Sequence, residues 1–247
     1  MTIRAVLFDL DNTLIDDDDS VRRAIAAACE EAVSLVPGLT VDQLTDAYFR
    51  ISIAVWTELD LARRTVARGT EVTGAQYRRL CWGQTLGEFG VTEEAVITRV
   101  VESYAFWRDK LLPLYPETEE VLAALRPHVK LAIITNGTAD THRRKLARLG
   151  YDQSFDYCVV AGEFGPVKPN PAIFLHTAER LGVEPGECMM VGDNAETDVA
   201  GAQGAGMTGV WLNRGGWPLP PDLPEPDFVI ADLRQLLDLL AFGDNDR

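Results

Sequence analysis

Four short stretches of the chain carry residues able to do chemistry. Asp9-Leu10-Asp11-Asn12-Thr13 places two carboxylates and a hydroxyl within five residues. Thr135-Asn136-Gly137 adds a second hydroxyl and an amide. Val167-Lys168-Pro169 supplies one amine, with Pro171 just beyond. Gly192-Asp193-Asn194 brings a third carboxylate, and Asp198 a fourth five residues past Asp193. Four carboxylates in one crevice would repel one another and raise some of their pKa values. A divalent cation removes that conflict, and oxygen ligands with places left for water and phosphate are what Mg²⁺ prefers. A lone lysine beside such a cation suits a phosphate, neutralising the oxygens the metal does not reach. Of Asp9 and Asp11, one carboxylate can attack as a nucleophile while the other handles a proton. The chain turns here, so their directions do not follow from the spacing.

The elements that must position these residues are legible in the apolar periodicity. Residues 3–8 are a short, nearly continuous apolar run ending at Asp9, which suits a strand buried on both faces. From Ser20 the period becomes helical, with Val21, Ala24, Ile25, Ala28, Ala32 and Leu35 on one face and Pro37-Gly38 as the stop. A second helix starts at Thr40, with Gln43 at capping-box spacing and Leu44, Ala47, Tyr48, Ile51 and Val55 as its apolar face. Further helices are predicted at 74–89 and 93–110. From residue 113 helices and strands alternate. Helices near 117–126, 140–149, 171–181 and 196–205 precede the strands Val129–Thr135, Tyr157–Ala161, Cys188–Gly192 and Thr208–Leu212, and a last strand, Phe228–Ile230, leads into a helix at 232–241. That alternation implies an α/β fold, a doubly wound parallel sheet with right-handed crossovers. The expected organisation is a Rossmann-like core of residues 1–19 and 113–247, with an all-helical domain inserted at 20–112. Ligands of such sheets bind at the carboxyl ends of the strands, which is where all four stretches fall.

Composition narrows the partners. Of 247 residues, 47% are hydrophobic and 25% charged, an ordinary globular balance. A net charge of −15 disfavours a nucleic-acid polymer or an anionic membrane surface as partner. No apolar run approaches the ~18–20 residues of a membrane span, and the opening MTIRAVLFDLD lacks the features of a signal peptide. The inserted segment is nearly neutral, with twelve acids against eleven bases, ten of them Arg. Cys29, Cys81, Cys158 and Cys188 have no zinc-like spacing and read as four reduced thiols of a cytoplasmic protein. The oligomeric state leaves no trace in the sequence.

The ordered set Asp9-x-Asp11-x-Thr13, Thr135, Lys168 and Gly192-Asp193-(x4)-Asp198 resembles the motifs of the haloacid dehalogenase-like hydrolase superfamily, over essentially the whole chain. The inserted helical segment is similar to that family's cap of the first class. Asn at position 12 resembles the branch that holds N-acylneuraminate-9-phosphatase-like and pyrimidine 5′-nucleotidase-like enzymes. The resemblance implies that Asp9 attacks phosphorus and that Asp11 is the general acid and base. It implies that Asp9, the Asp11 carbonyl and Asp193 hold Mg²⁺, and that Thr135, the Asn136 backbone and Lys168 bind the phosphate. Thr13 would steady the first loop, and Asp198 would order a metal-bound water or orient Lys168. Asn170 stands where Asp is common and caps a helix about as well.

The expected activity is Mg²⁺-dependent hydrolysis of a small phosphorylated metabolite. The alternatives are a 2-haloacid dehalogenase, which needs neither the acid nor the metal, a sugar phosphomutase, and a non-catalytic binding module. Asp16–Asp19 read as a solvated linker. His128, His142 and His176 read as surface or helix residues without a role, and Trp56, Trp82 and Trp107 as core. Arg63, Arg64 and Arg68 are a solvated helix face or contacts to an anionic substrate.

Overall fold

The computed structural model describes residues 2–65 and 72–240. Among them, six strands form one parallel sheet: β1 (Ala5–Phe8), β2 (Lys130–Thr135), β3 (Tyr157–Val160), β4 (Cys188–Gly192), β5 (Thr208–Leu212) and β6 (Phe228–Ile230). Their order is β3-β2-β1-β4-β5-β6. Phe8 lies level with Ile133 of β2 and Val191 of β4. On one face Ala5, Leu7, Ala132, Ile134, Cys188 and Met190 pack with Phe174 and Leu181. On the other, Val6, Phe8, Leu131, Ile133, Met189 and Val191 are equally buried. A strand covered on both faces gains from apolar residues at every position, hence the unbroken run at the start of the chain. The direction of winding reverses at β1, so a crevice opens beyond the carboxyl ends of β1, β2 and β4.

The chain divides into two compact units. The sheet unit comprises Met1–Asp16, Leu114–Gly137 and His142–Arg247, and the helical unit Asp17–Pro113 with Thr138–Thr141. In the sheet unit, the backbone that leaves at Ile15 pairs antiparallel with Leu114, where the chain returns. Tyr115 N–H and the Thr118 hydroxyl both donate to the Leu14 carbonyl, at 3.2 and 2.8 Å. The helical unit holds α1 (Asp17–Leu35), α2 (Val41–Thr65), α3 (Gly74–Glu88) and α4 (Glu94–Lys110). Its core gathers Ala24, Ile25, Ala28, Ala32, Leu44, Ile51 and Val55 around Tyr48, whose ring lies 4.3 Å from Trp82 and 5.5 Å from Tyr104. Of the tryptophans read as core, Trp82 is fully buried and Trp107 packs against the same cluster, whereas Trp56 stands at the surface, edge-on to Tyr77.

The aspartate run is not a linker. Asp17, Asp18 and Asp19 form the first turn of α1, where carboxylates meet the positive end of the helix dipole. Asp17 is also half-withdrawn from solvent and takes a bidentate pair of bonds from Arg108, 2.8 and 3.0 Å long. Arg68 lies outside the described residues, as do the side chains of Arg63 and Arg64.

The remaining helices are α5 (Thr118–Leu125), α6 (Ala139–Leu149), the short α7 (Tyr151–Ser154) and α8 (Ala161–Phe164), α9 (Pro171–Leu181), α10 (Gly201–Gly204) and α11 (Gln235–Leu240). Asn170 caps α9, its side-chain oxygen accepting the Ala172 N–H at 3.0 Å. The helix expected at 196–205 is instead a π-helical turn, Ala195–Ala200, followed by α10. The helix expected from 232 begins at Gln235, whose side chain reaches back to accept the Ala231 and Asp232 N–H groups ahead of it.

Candidate active site

Asp9 follows the last residue of β1, its N–H donating to the Val191 carbonyl at 2.9 Å. Three residues further, Asn12 has φ +60°, a left-handed conformation that Asn tolerates better than most residues. The turn it makes returns Leu14 and Ile15 N–H to the Leu10 carbonyl. Within it the buried Thr13 hydroxyl accepts the Asp193 N–H at 3.2 Å, so the loops after β1 and β4 are tied together. The Asp193 carbonyl in turn accepts the Trp211 indole N–H at 2.8 Å.

Lys168 is 2% exposed. Its ammonium donates to Asp9 Oδ1 at 2.6 Å and the Ile134 carbonyl at 2.8 Å, and it pairs with Asp198 Oδ1 at 2.7 Å. The Asn136 side chain clamps the Lys168 backbone from both sides, accepting its N–H at 2.8 Å and donating to its carbonyl at 2.9 Å. Thr135 ends β2 beside Asn136 and is buried. Asp198 lies in the π-turn, where one extra residue per turn is a common device at functional sites. Its Oδ2 accepts the Asn194 N–H at 3.1 Å. A Cβ on Gly192 would lie 2.2 Å from that oxygen, so only glycine leaves room for the carboxylate.

The carboxylates of Asp9, Asp193 and Asp198 offer oxygens all within 4.8 Å of one another. Burial pushes the Asp9 carboxyl well above its usual range, against Lys168, and Asp198, Asp193 and Asp11 add to the rise. Burial, and then Asp198, raise Asp193 to about 7. A buried acidic group under mutual repulsion is a donor set suited to a hard divalent cation.

Asp11 faces elsewhere. Its carboxylate accepts Lys145 Nζ at 2.7 and 2.8 Å and lies 3.0 Å from His142 Nε2. Burial alone would raise it, but Lys145 and then His142 hold it well below the usual carboxylate range. Of the histidines read as surface or helix residues, His142 stands on helix α6 but not at the surface. It is buried, as is Lys145, and both stand one turn apart on α6 beside the second of the two motif aspartates.

A family model for haloacid dehalogenase-like hydrolases matches residues 3–206 of the chain. The chain belongs to the haloacid dehalogenase-like hydrolase family. It is 32% identical over 253 residues to the N-acylneuraminate-9-phosphatase of Rattus norvegicus, covering 96% of this chain and 94% of that protein. It is 34% identical to the phosphoserine phosphatase of Thermus thermophilus (95% and 98% covered) and 33% identical to the glyceraldehyde 3-phosphate phosphatase of Methanopyrus kandleri (96% and 97%). Among solved structures, the hydrolase YfnB of Bacillus subtilis bound to magnesium shares the fold at a TM-score of 0.75, with 23% identity and 97% and 99% of the two chains covered. A 2-haloacid dehalogenase of Pseudomonas syringae pv. Tomato matches at 0.69, with 29% identity and 97% and 99% covered.

Within this hydrolase fold Asp9, Thr13, Asn136, Lys168, Asp193 and Asp198 are linked at one end of the sheet, and Thr135 ends the strand beside Asn136. Sequence reasoning missed Lys145 altogether. The available signal was its i, i+3 spacing from His142 on the helix after Thr135-Asn136-Gly137, but Arg143 and Arg144 between them make that turn look uniformly solvated. Among the described residues no helix is long and apolar enough to cross a membrane.

Proposed function

We propose that the protein is a Mg²⁺-dependent phosphomonoesterase acting on a small soluble phosphorylated metabolite through an aspartyl-phosphate intermediate. Family membership and the phosphatases among its relatives carry the coarser statement, that it is a phosphatase. The observation that carries the finer one is Lys168, a buried cation joining Asp9 to Asp198 next to Asp193.

Asp9 attacks phosphorus, and the bond from phosphorus to the leaving oxygen breaks as that oxygen takes a proton from Asp11. Asp11 then takes a proton from water, whose oxygen attacks the aspartyl phosphate, releasing inorganic phosphate and restoring Asp9. The ionised Asp11 described above is the form this second step requires, and the first step requires that it gain a proton. Thr135 and the Asn136 backbone bind the non-reacting phosphate oxygens, and Lys168 neutralises their charge and orients Asp9. Asp9, the Asp11 carbonyl and Asp193 would hold Mg²⁺, with Asp198 in support. The metal, when bound, supplies charge stabilisation for the phosphoryl group. We assign substrate choice to the helical unit as the family's cap. Relatives at 31–34% identity carry the names of four different phosphatases, so identity at this level leaves the metabolite open. Cytoplasmic residence fits four unpaired cysteines.

The test is phosphate release from a panel of phosphorylated metabolites by the wild type and by Asp9→Asn. Turnover should vanish in the variant while its thermal unfolding stays cooperative. Retained turnover would sink the nucleophile assignment. The dehalogenase reading draws on the structural neighbours of that activity. Halide release from a 2-haloacid, unaffected by EDTA, would favour it instead.

A further inference from the structure

We infer that His142 and Lys145 are positioning residues, which hold the Asp11 side chain in one orientation for its proton transfers. The inference rests on the acid–base role proposed for Asp11.

The geometry is specific. Lys145 Nζ touches both Asp11 oxygens, and His142 Nε2 touches Oδ2 as well, so both oxygens of the carboxylate are engaged. Lys145 is 5% and His142 8% exposed. A cation so buried is costly unless paired, and the partner here belongs to a different element, 134 residues earlier in the chain. Arg143, next to His142, shows the contrast, since its guanidinium pairs with Glu163 on the exposed side of the helix. Room for the imidazole is provided by Gly137, where a Cβ would stand 1.7 Å from the ring. The glycine of Thr135-Asn136-Gly137 thus has a steric reason tied to Asp11 rather than to the turn alone. A misplaced acid or base slows proton transfer without weakening phosphate binding.

The experiment compares p-nitrophenyl phosphate with phenyl phosphate, whose leaving group is more basic and leans harder on an acid. His142→Ala, Lys145→Met and Gly137→Ala should each lower kcat for phenyl phosphate about tenfold more than for p-nitrophenyl phosphate, with KM little changed. His142→Gln, which keeps an N–H donor, should recover most of the loss. In an Asp11→Asn background the same substitutions should change kcat by no more than about twofold, since the group they serve is gone. Equal losses on the two esters, or the same loss with and without Asp11, would overturn the inference. If Lys145→Met does not fold, His142→Ala, His142→Gln and Gly137→Ala decide the matter alone. If Asp11→Asn itself shows no preference between the esters, the acid–base role has failed and this inference with it. If Asp11→Asn shows the preference and the α6 variants do not, only the inference has failed.

Discussion

The ammonium of Lys168 has three protons, and three acceptors take them: a carboxylate after β1, a carbonyl of β2 and a carboxylate of the π-turn. Replacing it with Met would leave Asp9 and Asp198 buried with no compensating charge. Such a loss costs about 3–5 kcal/mol, so Lys168→Met should lower the urea midpoint of the metal-free protein by a corresponding amount. A loss under about 1 kcal/mol would show that the carboxylates find protons or water instead. At this scale much was legible from the chain alone. Asp9, Thr13, Thr135, Asp193 and Asp198 could be picked out because each ends a strand or lies shortly after one, and Lys168 by its place in the ordered set, since α8 separates it from β3. What could not be read is which acid faces which base. Asp11 is two residues from Asp9, yet its partners stand on α6 and that of Asp9, Lys168, on the loop before α9. Side-chain direction at a turn depends on φ at Asn12 and on packing, and neither is written in the spacing.

Glycines set how closely the elements approach the site. Gly192→Ala would push a methyl into the Asp198 carboxylate. Overpacking of this kind costs roughly 1–3 kcal/mol, and here it should also weaken the bond between Asp198 and Lys168. The expected outcome is a lower Tm together with a loss of activity, and an active, fully stable variant would mean that the π-turn can shift to make room. Cysteine-to-glycine strand β4, α9, β5 and β6 end where the periodicity places them. The π-turn was missed because Ala195–Gln203 keeps helical periodicity, and its extra residue serves a tertiary contact. The capping box of α3 was also missed. Thr73 and Gln76 form it reciprocally, whereas at the predicted box Thr40 donates to the Gln43 side chain and accepts its N–H only at 3.4 Å. Thr73→Ala should cost about 1 kcal/mol in thermal or urea unfolding, the usual worth of such a cap.

Over the molecule as a whole, the chemistry of the thiols follows from burial. Cys29, Cys81 and Cys188 are buried, and Cys158 partly so. Burial pushes Cys158 and Cys188 up to about 12 and Cys81 to about 11. A thiol at 12 is ionised to about one part in ten thousand at pH 8, and the reactive thiolate grows about tenfold per pH unit below its pKa. The native protein should therefore react slowly with a disulfide reagent at pH 8 and faster at pH 9, with all four thiols released at once only in denaturant. A rapid native burst of one equivalent would contradict this. Cation binding is also a property of the folded whole. Under the proposed function, Mg²⁺ at a hundredfold excess over its Kd should stabilise the protein by about 2.7 kcal/mol, and Asp193→Asn should abolish the rise in Tm. No rise in the wild type would remove Mg²⁺ from the reading.

Among the described strands β1 is synthesised first, and it is one of the two central strands of the sheet. Its neighbours begin at residues 130 and 188. At ~5–20 residues per second, a ribosome takes from about ten to almost forty seconds to supply the second of them. For that interval Ala-Val-Leu-Phe, wholly apolar, stays in an incomplete chain with at least one open hydrogen-bonding edge. The placement that puts Asp9 at the centre of the crevice makes the nascent chain sticky at β1. Chaperone dependence should thus be set by the wait for β4, and chains cut short before residue 188 should aggregate through β1.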